Sequence, residues 1–299
     1  MRSGPSFWLC CVLFSIYSCI SAQSPGKAYT DEQIPFSLEH STKKIELPFV
    51  LSEISGLDYH EGRLLAVQDE AGVIFTINPQ SGSIENQVKL FGPGDSEGVA
   101  SDGKTLFLNT SEGLIFRINA NHQTSAELLG TGLPEGGDYE ALEWHQSAQK
   151  LLIATKDNLK GIDFPGKNRY IFAVEIKPPY AHQLFLTIDY KALKDYLQVD
   201  EKGIIQYADI RLEYDKPKPS GVAIDPLTGH IYVLNDSGKM LLVYQPGGKL
   251  KAIAMLDNQL FEKPEGIAFD PEGNLYISNE QKSQAANILF FQRQDGSGG

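Results

Sequence analysis

The chain has 299 residues, with 26 basic against 38 acidic side chains and a formal net charge of −12. No run of Lys or Arg is long enough to follow a phosphate backbone, which makes nucleic acid and anionic membrane surfaces poor partners; a cation is the easier ligand. A closed all-β ring of this length forms a single domain.

Arg2 precedes an apolar run from Phe7 to Ile20, and Ile20-Ser21-Ala22 ends it on a small residue before Gln23. This is the outline of a secretory signal peptide over 1–22, since the run is short for a membrane span. The expected location is therefore exported: periplasmic, secreted or outer-membrane associated. All three cysteines, Cys10, Cys11 and Cys19, fall in this segment. Cleavage after Ala22 would leave no disulfide, no thiol nucleophile and no thiolate metal site. Ile16-Tyr17-Ser18-Cys19 also has the form of a loose lipoprotein processing box, with bulky Tyr17 at a position that usually holds a small residue. A lipid anchor through Cys19 is thus the alternative to a cleaved soluble form.

Residues 23–35 are polar and contain Pro25, Gly26 and Pro35, as expected of a flexible lead before a propeller domain over 36–294 and a disordered tail over 295–299. Two strands are expected next, at 36–38 and 44–50. From there a phrase recurs: Ser55-Gly56-Leu57, Glu97-Gly98-Val99, Glu140-Ala141-Leu142, Ser220-Gly221-Val222 and Glu265-Gly266-Ile267. The steps between copies are 42, 43, 80 and 45 residues. A period in the forties built from short strands and Gly, Asn, Asp and Pro turns is the signature of a four-stranded β-propeller blade. The first copy lays out strands at 54–59, 63–68, 73–78 and 84–90. The last copy stops after its third strand, so an N-terminal strand must complete it and close the ring. The 80-residue step is either one long blade, with a helix-like 190–196 and 204–212 as its outer strand, or two blades, one without its phrase. A five-bladed all-β propeller is favoured over a six-bladed one.

In a propeller the start of the innermost strand and the end of the second strand share one rim of the central channel. That rim collects Glu53, Glu97, Asp138, Glu140 and Glu265 from the first set, and Asp69, Asn109, Asp157, Asn235, Asp236, Asn279 and Glu280 from the second. Crowded carboxylates repel unless protonated or neutralised. Oxygen-only ligands suit hard cations, Ca²⁺ better than Mg²⁺ where geometry is irregular. Lys156, Lys218 and Lys263 fall beside these carboxylates and would hold an anionic group there. No Gly-x-Ser-x-Gly elbow, phosphate loop or close histidine pair is present. Trp144 and Tyr139 either line a pocket or pack between blades.

The runs Glu265-Gly266-Ile267-Ala268-Phe269-Asp270, Ser220-Gly221-Val222-Ala223-Ile224-Asp225 and Glu53-Ile54-Ser55-Gly56-Leu57 resemble the SdiA-regulated, YjiK-like family, which is distantly similar to NHL-repeat propellers. The likeness spans about residues 40–294. It implies a five-bladed propeller with a calcium site, for which Glu53, Glu97, Glu140 and Glu265 are the matching ligand positions; Ser220 breaks the acidic pattern in one blade. The family carries no defined activity to transfer. Two functions stay open. The first is a calcium-binding module or scaffold for an unknown small molecule or extracytoplasmic protein. The second is a metal-dependent hydrolase of an ester, lactone or phosphoester, with Asp236 or Glu140 as base.

Overall fold

A computed structural model describes residues 34–90, 94–119, 126–161, 164, 166–207, 210–214 and 216–294. The signal segment with Cys19, and the tail 295–299, lie outside the described residues. Five four-stranded antiparallel sheets surround one axis. Strand β1 (Lys43–Glu46) comes first in the chain but belongs to the last blade. Blade one is β2 (Ile54–His60), β3 (Arg63–Gln68), β4 (Val73–Ile77) and β5 (Ile84–Lys89). Blade two is β6 (Ser96–Ser101), β7 (Thr105–Thr110), β8 (Ile115–Asn119) and β9 (Ala126–Leu129). Blade three is β10 (Tyr139–His145), β11 (Lys150–Thr155), β12 (Arg169–Glu175) and β13 (His182–Ile188).

After blade three the chain makes helix α1 (Tyr190–Leu197) and a separate hairpin, β14 (Ile204–Tyr207) with β15 (Ile210–Glu213). Blade four is β16 (Pro219–Ile224), β17 (Ile231–Asn235), β18 (Met240–Tyr244) and β19 (Leu250–Met255). Blade five is β20 (Pro264–Phe269), β21 (Leu275–Asn279) and β22 (Asn287–Phe291), with β1 added outside β22. Ile45 lies opposite Ile288 in that pairing. The ring is therefore closed by the N-terminal strand, which removes the free edge.

The 80-residue step is one long blade, not two. The expectation that 204–212 would supply its outer strand is corrected: β13 holds that place, paired with β12, while 204–213 pairs with itself. Helix α1 forms because Asp189 caps it, accepting from Ala192 N at 2.8 Å, and Leu193 and Leu197 bury one face; Gln198 ends it with φ 51°. The strand expected at 36–38 is irregular instead. Phe36 packs edge-on to Tyr232 at 6.3 Å and tilted to Phe269 at 6.1 Å, so ring packing replaces ladder hydrogen bonds there. Ile34, at the end of the expected lead, is buried in the same cluster.

The core lies between blades, where alternate residues of neighbouring sheets interdigitate. One cluster joins Ala141, Leu152 and Ile171 of blade three to Val222, Val233 and Leu242 of blade four. The five inner strands approach so closely that the second residue of each phrase must be small. A Cβ on Gly56 would sit 2.7 Å from the Glu97 carbonyl oxygen, and one on Gly266 would sit 2.6 Å from the Leu57 Cβ. The repeat at Gly56, Gly98, Ala141, Gly221 and Gly266 is the packing condition for a narrow five-bladed axis.

Candidate functional site

In every blade the pairing of inner and second strand shifts register across the phrase. The residue before the Gly or Ala is left unpaired in a β-bulge, which re-aims its side chain at the rim. Ser55, Glu97, Glu140, Ser220 and Glu265 hold these five positions, and all five are buried. The bulge ring thus carries three glutamates and two serines. Glu53 stands two residues earlier, outside the ring, where its carboxylate interacts with Asp69.

Burial, and then the charge of Glu140, push the Glu97 carboxyl up to about 10. Burial also raises Glu140 and Asp138, and takes Glu265 up to about 8. Lys156 answers this field: its Nζ lies 3.0 Å from Glu140 Oε1. Burial alone would lower its pKa, but Glu140 and Glu265 more than reverse that. The lysine is held by Arg169, whose fully buried side chain donates from Nε to the Lys156 carbonyl at 2.6 Å. Lys263 lies 3.6 Å from Glu265 and pairs with Glu280. Lys239 pairs with Asp236, and Lys216 lies 3.2 Å from Asp157. Burial raises the Asp69 carboxyl to about 7.

The amides of the second set are buried and structural. Asn109 donates to the Tyr139 carbonyl of the next blade at 2.7 Å. Asn235 accepts from Lys218 N at 2.5 Å, and Asn279 donates to Leu260 O at 3.2 Å. Several buried oxygens on this side accept nothing: Asp69 Oδ1, Ser96 Oγ, Asn109 Oδ1, Thr110 Oγ1 and Asn279 Oδ1. This oxygen chemistry suits a hard cation. The spacing does not: lysines stand against Glu140 and Glu265, and among the described residues no three of His, Cys, Asp or Glu are arranged to hold a metal. Below the bulge ring, between the phrase residues, the channel encloses about 10 Å³.

A family model described as SdiA-regulated matches residues 33–283. The chain belongs to the SdiA-regulated family. Among solved structures this SdiA-regulated chain is similar to the glutaminyl cyclase of Myxococcus xanthus, with 16% identity over 85% of this chain and 96% of that one and a TM-score of 0.55. It is also similar to the virginiamycin B lyase of Staphylococcus aureus, with 13% identity over 84% and 69% of the two chains and a TM-score of 0.45. At 16% identity the likeness to the cyclase shows the fold alone. No curated protein matches the chain.

The opposite mouth of the SdiA-regulated propeller holds what sequence reasoning missed. A cavity of about 510 Å³ opens there, walled by the ends of the inner strands and the turns that follow them. Tyr59, Trp144, Ile224 and Phe269 supply apolar wall, and Asp58 and Glu143 carboxylates line it. Trp144 is both wall and packing, since it stacks on Phe107 at 6.1 Å. Tyr139 only packs: it is fully buried and donates from its hydroxyl to Pro134 O at 2.7 Å. Asp58 and Glu143 occupy the position two after the phrase Gly or Ala, where the other blades have Ala100, Ala223 and Ala268. That break in the repeat was the available signal.

Proposed function

We propose that the chain is an exported binding propeller that receives a small molecule at the mouth opposite the bulge ring. The observation that carries this is the cavity of about 510 Å³, with aromatic side chains and several carboxylates in its lining and a volume within the usual range for small-molecule sites. A concave pocket of that size suits a small molecule better than the surface of an extracytoplasmic protein. Export rests on Arg2, the apolar run and Ala22. Of the chain's two tryptophans, Trp8 and Trp144, only Trp144 remains once residues 1–22 are removed. Its fluorescence in the 23–299 protein therefore reports on the cavity. A screen of small polar and aromatic compounds should yield saturable Trp144 responses that are lost when Ile224→Phe narrows the cavity without adding a second tryptophan. Responses that survive that narrowing overturn the proposal, as does a screen that yields none.

A second reading concerns the rim. Its only support is the orphaned oxygens of Asp69, Asn109 and Asn279; a calcium ion beside Glu97, Glu140 and Glu265 would require Lys156 and Lys263 to leave Glu140 and Glu265. Such an ion would stiffen the ring. The hydrolase alternative also needs room for an ester or phosphoester, and the channel under the ring has space for about one water. Calorimetric titration of chelator-stripped 23–299 protein with Ca²⁺, then Mg²⁺, decides it. Saturation near one ion per chain supports the rim site, and no heat for either ion removes it.

A further inference from the structure

We infer that the occupant of the cavity is a small organic cation, a primary amine or quaternary ammonium, whose charged head lies between Asp58 and Glu143. The inference rests on the reading of this cavity as a ligand site. Its lining includes Asp58, Glu143, Asp225, Asp270 and His145, and neither Lys nor Arg. Arg293 neutralises Asp225 at its edge, and the remaining Asp58, Glu143 and Asp270 disfavour an anionic ligand.

The four carboxylates are not equivalent. Asp225 is committed: it accepts from Arg293 Nη1 at 2.9 Å, Thr228 Oγ1 at 2.7 Å and Leu227 N at 3.0 Å. Asp270 is likewise tied to its own turn, accepting from Asn274 N at 2.8 Å and Asn274 Nδ2 at 2.9 Å. Both hold local structure in the manner of turn aspartates. Asp58 and Glu143 have no ion-pair partner among the described residues. Asp58 takes backbone hydrogen bonds from Tyr59 N, 2.7 Å from Oδ1, and from Ser101, and its Oδ2 is buried. Glu143 Oε1 accepts from Ile224 N at 3.1 Å, and its charge interacts with Asp58.

Strands β2 and β10 belong to blades one and three, and they touch across the axis. The two carboxyls therefore come from non-neighbouring blades to one cavity, close enough for their charges to interact. The fold does not require them, because blades two, four and five do the same packing with Ala100, Ala223 and Ala268. Two interacting buried carboxyls without a counter-charge are costly, and both are raised by burial, Asp58 to about 7. A cation between them removes that cost. The faces of Tyr59, Trp144 and Phe269 on the walls add the quadrupole attraction that favours alkylammonium heads over hydrated metal ions.

The test uses the 23–299 protein and three probes of one shape: benzylamine, benzyl alcohol and benzoate, followed by Trp144 fluorescence and calorimetry. Benzylamine should bind at least about tenfold more tightly than benzyl alcohol, and benzoate should not bind. Asp58→Asn and Glu143→Gln should each reduce that preference about tenfold while keeping the melting transition. Should either variant fail to fold, the parent protein decides with a permanent cation: benzyltrimethylammonium must also bind at least about tenfold more tightly than benzyl alcohol, and equal binding overturns the cation. Equal binding of amine and alcohol, or binding of benzoate, overturns the cation and leaves the cavity reading standing. Absence of any Trp144 response to all three probes and to the wider screen overturns both. Calcium binding that survives Glu97→Gln but is lost in Asp58→Asn would place a metal here instead and overturn the organic cation.

Discussion

Glu265 shows how a single side chain sets a pH response. Its carboxyl moves from an ordinary 4.5 to about 8 in the folded protein because burial penalises the charge. Between those values the folded chain binds more protons than the unfolded chain, so stability is full below about pH 4.5 and falls as pH rises towards 8. Glu97, raised to about 10, adds in the same direction. Glu265→Gln is neutral throughout, so its unfolding midpoint should fall less between about pH 5 and pH 8 than that of the parent. Equal slopes in the two proteins would show that Glu265 ionises freely at the rim. Lys156 is the complementary case. Lys156→Met leaves Glu140 buried without its cation and should cost about 3 kcal/mol at about pH 8. The loss should be smaller at about pH 5, because burial raises the Glu140 carboxyl and the loss of its cation favours protonation further, and adding Glu140→Gln should recover most of it. Denaturant unfolding of the single and double variants at both pH values checks this; a loss that is independent of pH would assign the lysine a packing role only.

At the level of the strand, the phrase residue is a steric device. Gly266→Ala places a Cβ 2.6 Å from the Leu57 Cβ and 2.8 Å from its backbone nitrogen. The inner strands must then separate, and the expected cost is about 1–3 kcal/mol. Blade three carries Ala141 at this position, so Ala141→Gly should cost only about 0.5–1 kcal/mol through chain entropy. Thermal melts of the two variants give the contrast, and equal losses would mean that the axis is looser than its contacts indicate. The same phrase explains what the sequence made legible. Its spacing announced the blades, and propeller topology placed Glu97, Glu140, Glu265, Asn109 and Asn279 on one rim without any contact being known. Ser55 rather than Glu53 holds the bulge position of blade one, because the bulge is a property of pairing register, and residue type does not reveal register. The fate of 204–213 was equally hidden: a strand-like pattern does not say whether its partner is a blade or itself. Asp58 and Glu143 were visible as breaks in an otherwise alanine position. They stand apart from the rim where carboxylates repeat, and a pair drawn from two blades has no period to announce it.

The whole ring depends on its two ends meeting. β1 lies against β22, Leu47 N donates to Ala286 O at 2.9 Å, and Gln294 N donates to Pro35 O at 2.9 Å. Arg293 fastens the same seam from the other end, pairing with Asp225 and lying 6.0 Å from the centre of the Phe36 ring. A chain that begins at residue 48 loses this seam and exposes the outer edge of β22 to pairing with other chains. It should melt at lower temperature, with a broader transition and a tendency to aggregate. A circular permutant that joins 294 to 34 and opens in the β14–β15 hairpin keeps the seam and should melt close to the parent, because that hairpin belongs to no blade. The cavity ties this to ligand binding: Tyr59 comes from blade one and Phe269 and Asp270 from blade five, on either side of the closure. Loss of β1 should therefore abolish the Trp144 response to benzylamine even though Trp144 lies in blade three, and the permutant should retain it. A truncated chain that still binds would mean that blades three and four alone shape the pocket, and that closure serves stability without serving the site.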